Sequence, residues 1–224
     1  MPNHPPEMNR RFYKWFNHNY MLLICSLLFL FILISFFAPV FMKIKWERPA
    51  RLIYKIYSVF CHQLAFRSWF LFGVQPYYPR TLAGLSGMVT YESTTGDDQL
   101  NLMFARNFIG NEYLGYKVAL CQRDIAIYGS LLVCGIVFQL TGRKSNPLPW
   151  YLWVLIGLVP LGWDGISQFG GLKIDFLSWL PVRESTPLLR TVTGILFGSS
   201  TAFFIFPLME ENMHSSIALS SDGM

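Results

Sequence analysis

Charge is what this sequence has least of: only 14% of its 224 residues are Asp, Glu, Lys or Arg. Residues 19–42, 125–142, 145–163 and 191–209 contain none of the four. Each run is long enough to cross the roughly 30 Å hydrocarbon core of a bilayer as a helix. Recognisable chemistry motifs are missing as well. No phosphate-cradling glycine loop, haem attachment site, iron–sulfur spacing or HExxH unit is present, which excludes the functions those motifs serve. No internal repeat or mid-run ionisable pathway appears, which argues against a secondary transporter. Nothing in the chain suggests a nucleic-acid partner.

What the chain does have is apolar and aromatic mass: 53% hydrophobic residues, with 20 Phe and 7 Trp. Together with the charge-free runs, this describes a polytopic membrane protein whose partner is the lipid bilayer. Trp15, Tyr20, Trp46, Trp150, Tyr151, Trp163 and Trp179 stand at run boundaries, where interfacial anchors belong. The first run follows basic residues, as a signal peptide would. It is too long and Phe-rich for that role, and no small-residue cleavage site follows it, so it reads as a retained helix.

The organisation expected is all-α, a bundle of about four spans. Its segments are a polar tail (1–18), the first span (19–42), an interfacial helix pair (43–73), a long loop insertion (74–120), a three-helix membrane core (121–209) and a second polar tail (210–224). Residues 52–73 are apolar enough to touch lipid but carry Lys55, His62 and Arg67. Burying an ionised Lys or Arg at mid-bilayer costs about 2.5 to 3.5 kcal/mol, so an interfacial position suits this segment better than a span. Residues 99–108 read as a short helix over the site.

Span parity collects the reactive residues. Consecutive spans alternate direction, so the end of the first, the start of the second, the end of the third and the start of the fourth share one membrane face. That face carries Cys61, His62, Gln63, Arg67, Cys121, Arg123, Asp124, Asp164, Gln168, Arg183, Glu184 and Arg190. Cys121, Asp124 and Tyr128 fall at i, i+3 and i+7, one face of a helix at the mouth of the second span. On this topology 13 of the 18 Lys and Arg residues lie on the site side. The positive-inside rule then directs the site to the cytoplasmic face of the cell membrane, although Arg10, Arg11 and Lys14 argue the reverse.

Each element of this cluster has a bland alternative. Asp124 and Asp164 at span ends can be solvated or can cap helices as readily as they can do chemistry. Arg123, Arg183 and Arg190 can pair with those carboxylates and Glu184, or hold an anionic lipid headgroup. Cys25 and Cys134, isolated within spans, read as small packing residues. Cys61 and Cys121, with His62 and Asp124, supply the donor types of a four-coordinate zinc site. Adjacent Cys-His can share one ion only at a helix end or turn. A Cys61–Cys121 disulfide and two free thiols stay open beside the metal reading.

The ordered set Cys61-His62-Gln63 with Arg67-Ser68, Cys121-x-Arg123, Asp164-Gly165-x-x-Gln168, and Arg183-Glu184-Ser185 with Arg190, Thr193, Gly194 and Gly198 resembles DUF2085, a family of small uncharacterised polytopic membrane proteins. The resemblance runs roughly from Tyr57 to Phe206 and brings no activity with it. It implies that Asp124 stands where the family has a second cysteine, giving Cys61, His62, Cys121 and Asp124 as an inherited ligand set. It also implies that residues 76–117 are an insertion. Three functions fit: a binding or sensory protein whose polar cup holds a metal ion or lipid headgroup; an enzyme acting on a lipid-linked substrate, with Asp124 and Asp164 as acid and base or Cys61-His62 as nucleophile and base; and an accessory subunit of a membrane complex, whose site residues clamp the fold.

Overall fold

A computed structural model of the chain describes residues 7–98, 101–168 and 183–222. Eight α-helical segments run in chain order: α1 (Glu7–Lys43), α2 (Glu47–Tyr57), α3 (Tyr91–Thr95), α4 (Leu102–Asn107), α5 (Gln122–Leu140), α6 (Trp150–Trp153), α7 (Val159–Ile166) and α8 (Pro187–Asp222). Three short strands lie between α2 and α5: β1 (Ser68–Leu71), β2 (Gly110–Asn111) and β3 (Gly115–Cys121).

Three of these helices contain stretches long and apolar enough to cross a membrane: Trp15–Lys43, Gln122–Leu140 and Pro187–Met213. Their outward faces are apolar. Leu22, Leu27 and Phe29 on α1 and Val133 and Leu140 on α5 are exposed, and only 22% of the most apolar window of α1 is buried. Surfaces of this kind are suited to lipid and ill suited to water.

The third charge-free run falls short of the expectation. Its helix spans Trp150–Ile166, 17 residues, or about 26 Å of rise. Pro147 and Pro149 hold the start of the run out of the helix. Pro160, in the first turn of α7, cannot donate to the preceding turn, and a π turn over Val154–Leu158 absorbs the defect. Among the described residues there are therefore three candidate spans and one shorter apolar helix.

The small sheet corrects the all-α expectation. Its order is β1-β3-β2, antiparallel throughout, with Ser68 opposite Cys121 and Phe70 opposite Lys117. β3 lies against α1, α2 and β1 and is buried along most of its length. Such a strand loses the alternation that would reveal it and reads as a short apolar run. Gly115, at a φ of +77°, is required where β3 passes against Leu71 and Gly73, because a side chain there would strike their backbones.

The expected interfacial helix pair is a single helix. α2 buries Ala50, Tyr54 and Tyr57 and exposes Arg51, Leu52, Lys55 and Ile56. Its inner face is pinned by hydroxyls: Tyr54 donates to the Lys117 carbonyl and Tyr57 to the Phe31 carbonyl at 2.5 Å. Residues 74–120 hold more than a loop. They contain α3, α4, β2 and β3, and Tyr78, Tyr91 and Leu114 form a compact apolar cluster with Phe66 and Phe70. The short helix read over 99–108 is α4, with Asn101 capping the Met103 and Phe104 amides. The segments read as polar tails are helical where described, since α1 begins at Glu7 and α8 continues to Asp222.

Small residues bring α8 onto α5. A Cβ on Gly194 would meet Ala126 and the Arg123 carbonyl at 2.8 Å, and one on Gly198 would collide with Ile127 and Ser130. Gly129 and Gly165 face open space. At the end of the bundle away from Cys121, Arg143 donates to the Asn17 and His18 carbonyls and pairs with Glu210 at 3.6 Å. It thereby ties the start of α1 and the end of α5 to α8. Tyr20, expected as an outward anchor, is buried here with its hydroxyl on Glu210. Trp15, Trp46, Trp150, Tyr151 and Trp163 are exposed as anchors would be, and Trp179 lies outside the described residues.

Candidate functional site

The site is assembled where α2, β3 and α5 meet. After α2 the chain turns through Ser58 to Phe60 and delivers Cys61, whose amide donates to the Tyr57 carbonyl at 2.9 Å. Gln63 then takes a φ of +54°, a left-handed conformation that costs a non-glycine residue about 1 to 2 kcal/mol. Three contacts hold it there. Its Nε2 donates to the Tyr54 carbonyl at 2.9 Å, its amide faces Cys61 Sγ at 3.5 Å, and its carbonyl accepts from Lys117 Nζ at 2.8 Å. The turn buries Cys61 and Gln63 and leaves His62 exposed.

Cys121 is both the last residue of β3 and the N-cap of α5, and its side chain makes no capping hydrogen bond. β1 sets it beside the Cys61 turn, because Ser68 and Cys121 are cross-strand partners. Asp124 follows in the first turn of α5. The Sγ atoms of Cys61 and Cys121 and a carboxylate oxygen of Asp124 all lie within 4.8 Å of one another. Neither cysteine is in a disulfide. A hydrogen bond to Cys121 and burial, with Asp124 adding its negative charge, push the Cys61 thiol far above its ordinary range. Cys61 is therefore held as a neutral thiol, and a metal ion bound here would have to displace its proton.

A belt of ion pairs surrounds these donors. Glu184 accepts from Arg67 Nε at 3.0 Å and Nη2 at 3.2 Å, and also from Arg190. Asp164 is paired with Arg123, and with Arg183 at 3.5 Å, and accepts from Ser185 Oγ at 2.9 Å. Gln168 joins the two halves, receiving Arg190 Nη2 at 3.0 Å and donating to the Asp164 carbonyl at 2.6 Å. Asp164, Glu184 and Arg190 are buried, which is tolerable only because each is multiply paired. Arg123 Nε is buried without a hydrogen-bond partner among the described residues.

Between the donors and the belt lies a cavity of about 170 Å³, lined by Cys61, His62, Cys121, Arg123, Asp124 and Arg190, with Phe60, Gln63, Leu64 and Arg67. Most of the residues singled out from sequence thus sit around one space. Asp164, Gln168 and Glu184 stand behind it in the belt, and three more lie away from its centre. His62 lies at the rim and outside the close group of donor atoms. Tyr128 packs edge-on against Phe31 of α1, its ring centroid 5.0 Å away. Arg183 is the most exposed member of the belt, at 39% of its side chain.

Sequence reasoning missed Lys117. It is 1% exposed, donates from Nζ to the carbonyls of Gln63 and Arg106, and lies 6.0 Å from the Tyr54 ring. Burial lowers its pKa to about 7. Its one signal was a lone charge in the apolar stretch Gly115–Cys121, which reads as a surface Lys until the strand is placed.

Residues 104–204 match a family described as "Predicted membrane protein (DUF2085)". The matched stretch starts well after Cys61 and takes in part of the region read as an insertion. The chain is also similar to an uncharacterised protein of Methanocaldococcus jannaschii. The two are 27% identical over 203 residues, covering 87% of this chain and 95% of the relative. No solved structure matches the chain.

Proposed function

We propose that this protein is a membrane binding protein that holds a zinc ion at one membrane face through Cys61, Cys121 and Asp124. The observation that carries the reading is the approach of three donor atoms from three separate elements to within 4.8 Å. Bond lengths of about 2.3 Å to sulfur and 2.0 Å to oxygen space tetrahedral zinc ligands about 3.5 to 3.8 Å apart, so small side-chain adjustments would close the shell. Two thiolates and a carboxylate suit zinc better than magnesium or calcium, which take oxygen donors. An ion there would tie the 64–114 lobe to the membrane bundle.

Catalysis by a carboxylate pair has less support, because Asp164 is engaged by Arg123, Arg183 and Ser185. An accessory subunit clamped by its belt is the outcome to which a failed metal test would lead. The charge bias of the site side favours the cytoplasm. Cysteines introduced at the exposed Ser86 and Ser145 test that assignment. An impermeant thiol reagent should reach Ser145→Cys in intact cells and Ser86→Cys only after lysis.

Metal analysis of gently extracted wild type, Asp124→Cys and Asp124→Asn tests the centre. Stoichiometric zinc is expected in the wild type, tighter retention with the third sulfur, and weaker retention with the amide. Zinc absent from all three, with Cys61 and Cys121 joined as a disulfide, would sink the proposal.

A further inference from the structure

We infer that the remaining coordination position of this metal centre takes a phosphate group, gripped by Arg67, Arg123 and Arg190. The inference rests on the zinc reading above and names the ligand class of the same site.

Three protein donors leave tetrahedral zinc one open position, the arrangement of sites that bind an exogenous ligand. The space beside those donors is the 170 Å³ cavity, and three arginines line it. Their charge is only partly compensated. Arg67 and Arg190 share Glu184 and Arg123 and Arg183 share Asp164, so four guanidiniums meet two carboxylates in the belt. Asp124 is the remaining carboxylate on the cavity, and its charge is committed to the metal. Zinc with two thiolates and Asp124 carries one negative charge, which leaves the described site one positive charge overall.

Two further features direct donors at an anion. Arg123 lines the cavity and its Nε is buried without a hydrogen-bond partner among the described residues. α5, 19 residues long, begins at the cavity, and its N-cap residue Cys121 makes no side-chain capping hydrogen bond, so the positive end of its dipole also favours an anion there once Asp124 in its first turn is held by the metal. A chloride or a carboxylate would satisfy part of this set. A tetrahedral oxyanion, with oxygens for the metal and for guanidiniums on several sides, fits it better. Without the metal, Asp124 would repel the same anion. Phosphate binding should therefore require zinc.

Free phosphate and the phosphate of a lipid headgroup share this chemistry, and the test separates them. Zinc-loaded full-length protein in non-ionic detergent is titrated with inorganic phosphate and, separately, with short-chain phosphatidic acid. Saturable binding of at least one is expected, weakened tenfold or more by chelation of the zinc and by Arg123→Lys, which keeps charge but lacks the Nε donor. Binding of phosphatidic acid alone identifies a headgroup site; equal binding of both identifies a site for free phosphate. His62→Ala, at an exposed position, should retain its zinc. Loss of zinc from that variant would make His62 the fourth ligand, close the open position and overturn the inference. So would a zinc-loaded wild type that binds neither probe, or binds them equally with and without zinc. A wild type lacking zinc would fail the metal reading itself, a separate result. If Arg123→Lys does not fold, the chelation comparison on the wild type still decides.

Discussion

The backbone amide of Cys121 points at Cys61 Sγ, 3.3 Å away across 60 residues of sequence. The strand end and the turn after α2 are therefore in contact before any ion is considered. With zinc bound, Cys61 would be both a ligand and an acceptor. Chelation should then lower the melting temperature of the wild type, since a ligand at 100-fold excess over its dissociation constant adds about 2.7 kcal/mol. Cys61→Ser should start lower and show little further response. Thermal unfolding in detergent, with and without chelator, checks this; equal chelator shifts in both proteins would contradict it.

Glu184 is the carboxylate on which Arg67 and Arg190 converge, and the Glu184 and Arg190 side chains are only 6% and 3% exposed. Glu184→Gln removes the charge and leaves a buried guanidinium uncompensated, at a cost of about 3 to 5 kcal/mol. Arg67, 30% exposed at its side chain, can turn to water. Arg67→Lys should cost about 1 kcal/mol or less. The ratio of the two losses, measured by denaturation under the same conditions, is the test.

Parity of charge-free runs was enough to group the polar residues at one face, because bilayer thickness constrains helix length strongly. It said nothing about partners. Which arginine takes Asp164 and which takes Glu184 depends on helix rotation and on the approach of Gly194 and Gly198 to α5. The sheet was illegible for a different reason. β3 is buried along most of its length, so the 115–121 run shows no alternation and reads like any short apolar segment. Pro147, Pro149 and Pro160 shorten the helix of the third run, an effect that run length alone does not register.

Gly198 and Gly129 make a matched pair for the helix contact. A methyl group on Gly198 would strike the Ile127 backbone and Ser130, whereas one on Gly129 meets open space. Gly198→Ala should destabilise the fold by about 1 to 3 kcal/mol through overpacking. Gly129→Ala should be neutral or stabilising by up to about 1 kcal/mol, the helix-propensity difference. The start of α8 carries Arg190, so Gly198→Ala should also loosen the ion-pair belt, readable as faster hydrogen exchange at residues 184–190.

Lys117 predicts a pH dependence whose sign is set by burial. Its pKa falls from 10.5 to about 7 in the fold, so between those values the unfolded chain binds the proton that the folded chain releases. Stability must then rise with pH across that window, by at most about 1.4 kcal/mol per unit. Below about pH 7 both states are protonated and the penalty of the buried charge is constant. Lys117→Met removes this proton and leaves the Gln63 and Arg106 carbonyls without their donor, a loss of about 1 to 3 kcal/mol per unsatisfied group. All other groups are common to both proteins, so the stability difference between wild type and variant isolates Lys117. That difference should grow in favour of the wild type from pH 7 to 9.5. A flat difference would mean that the amine stays protonated between its two carbonyls, and that its hydrogen bonds outweigh the cost of burying the charge.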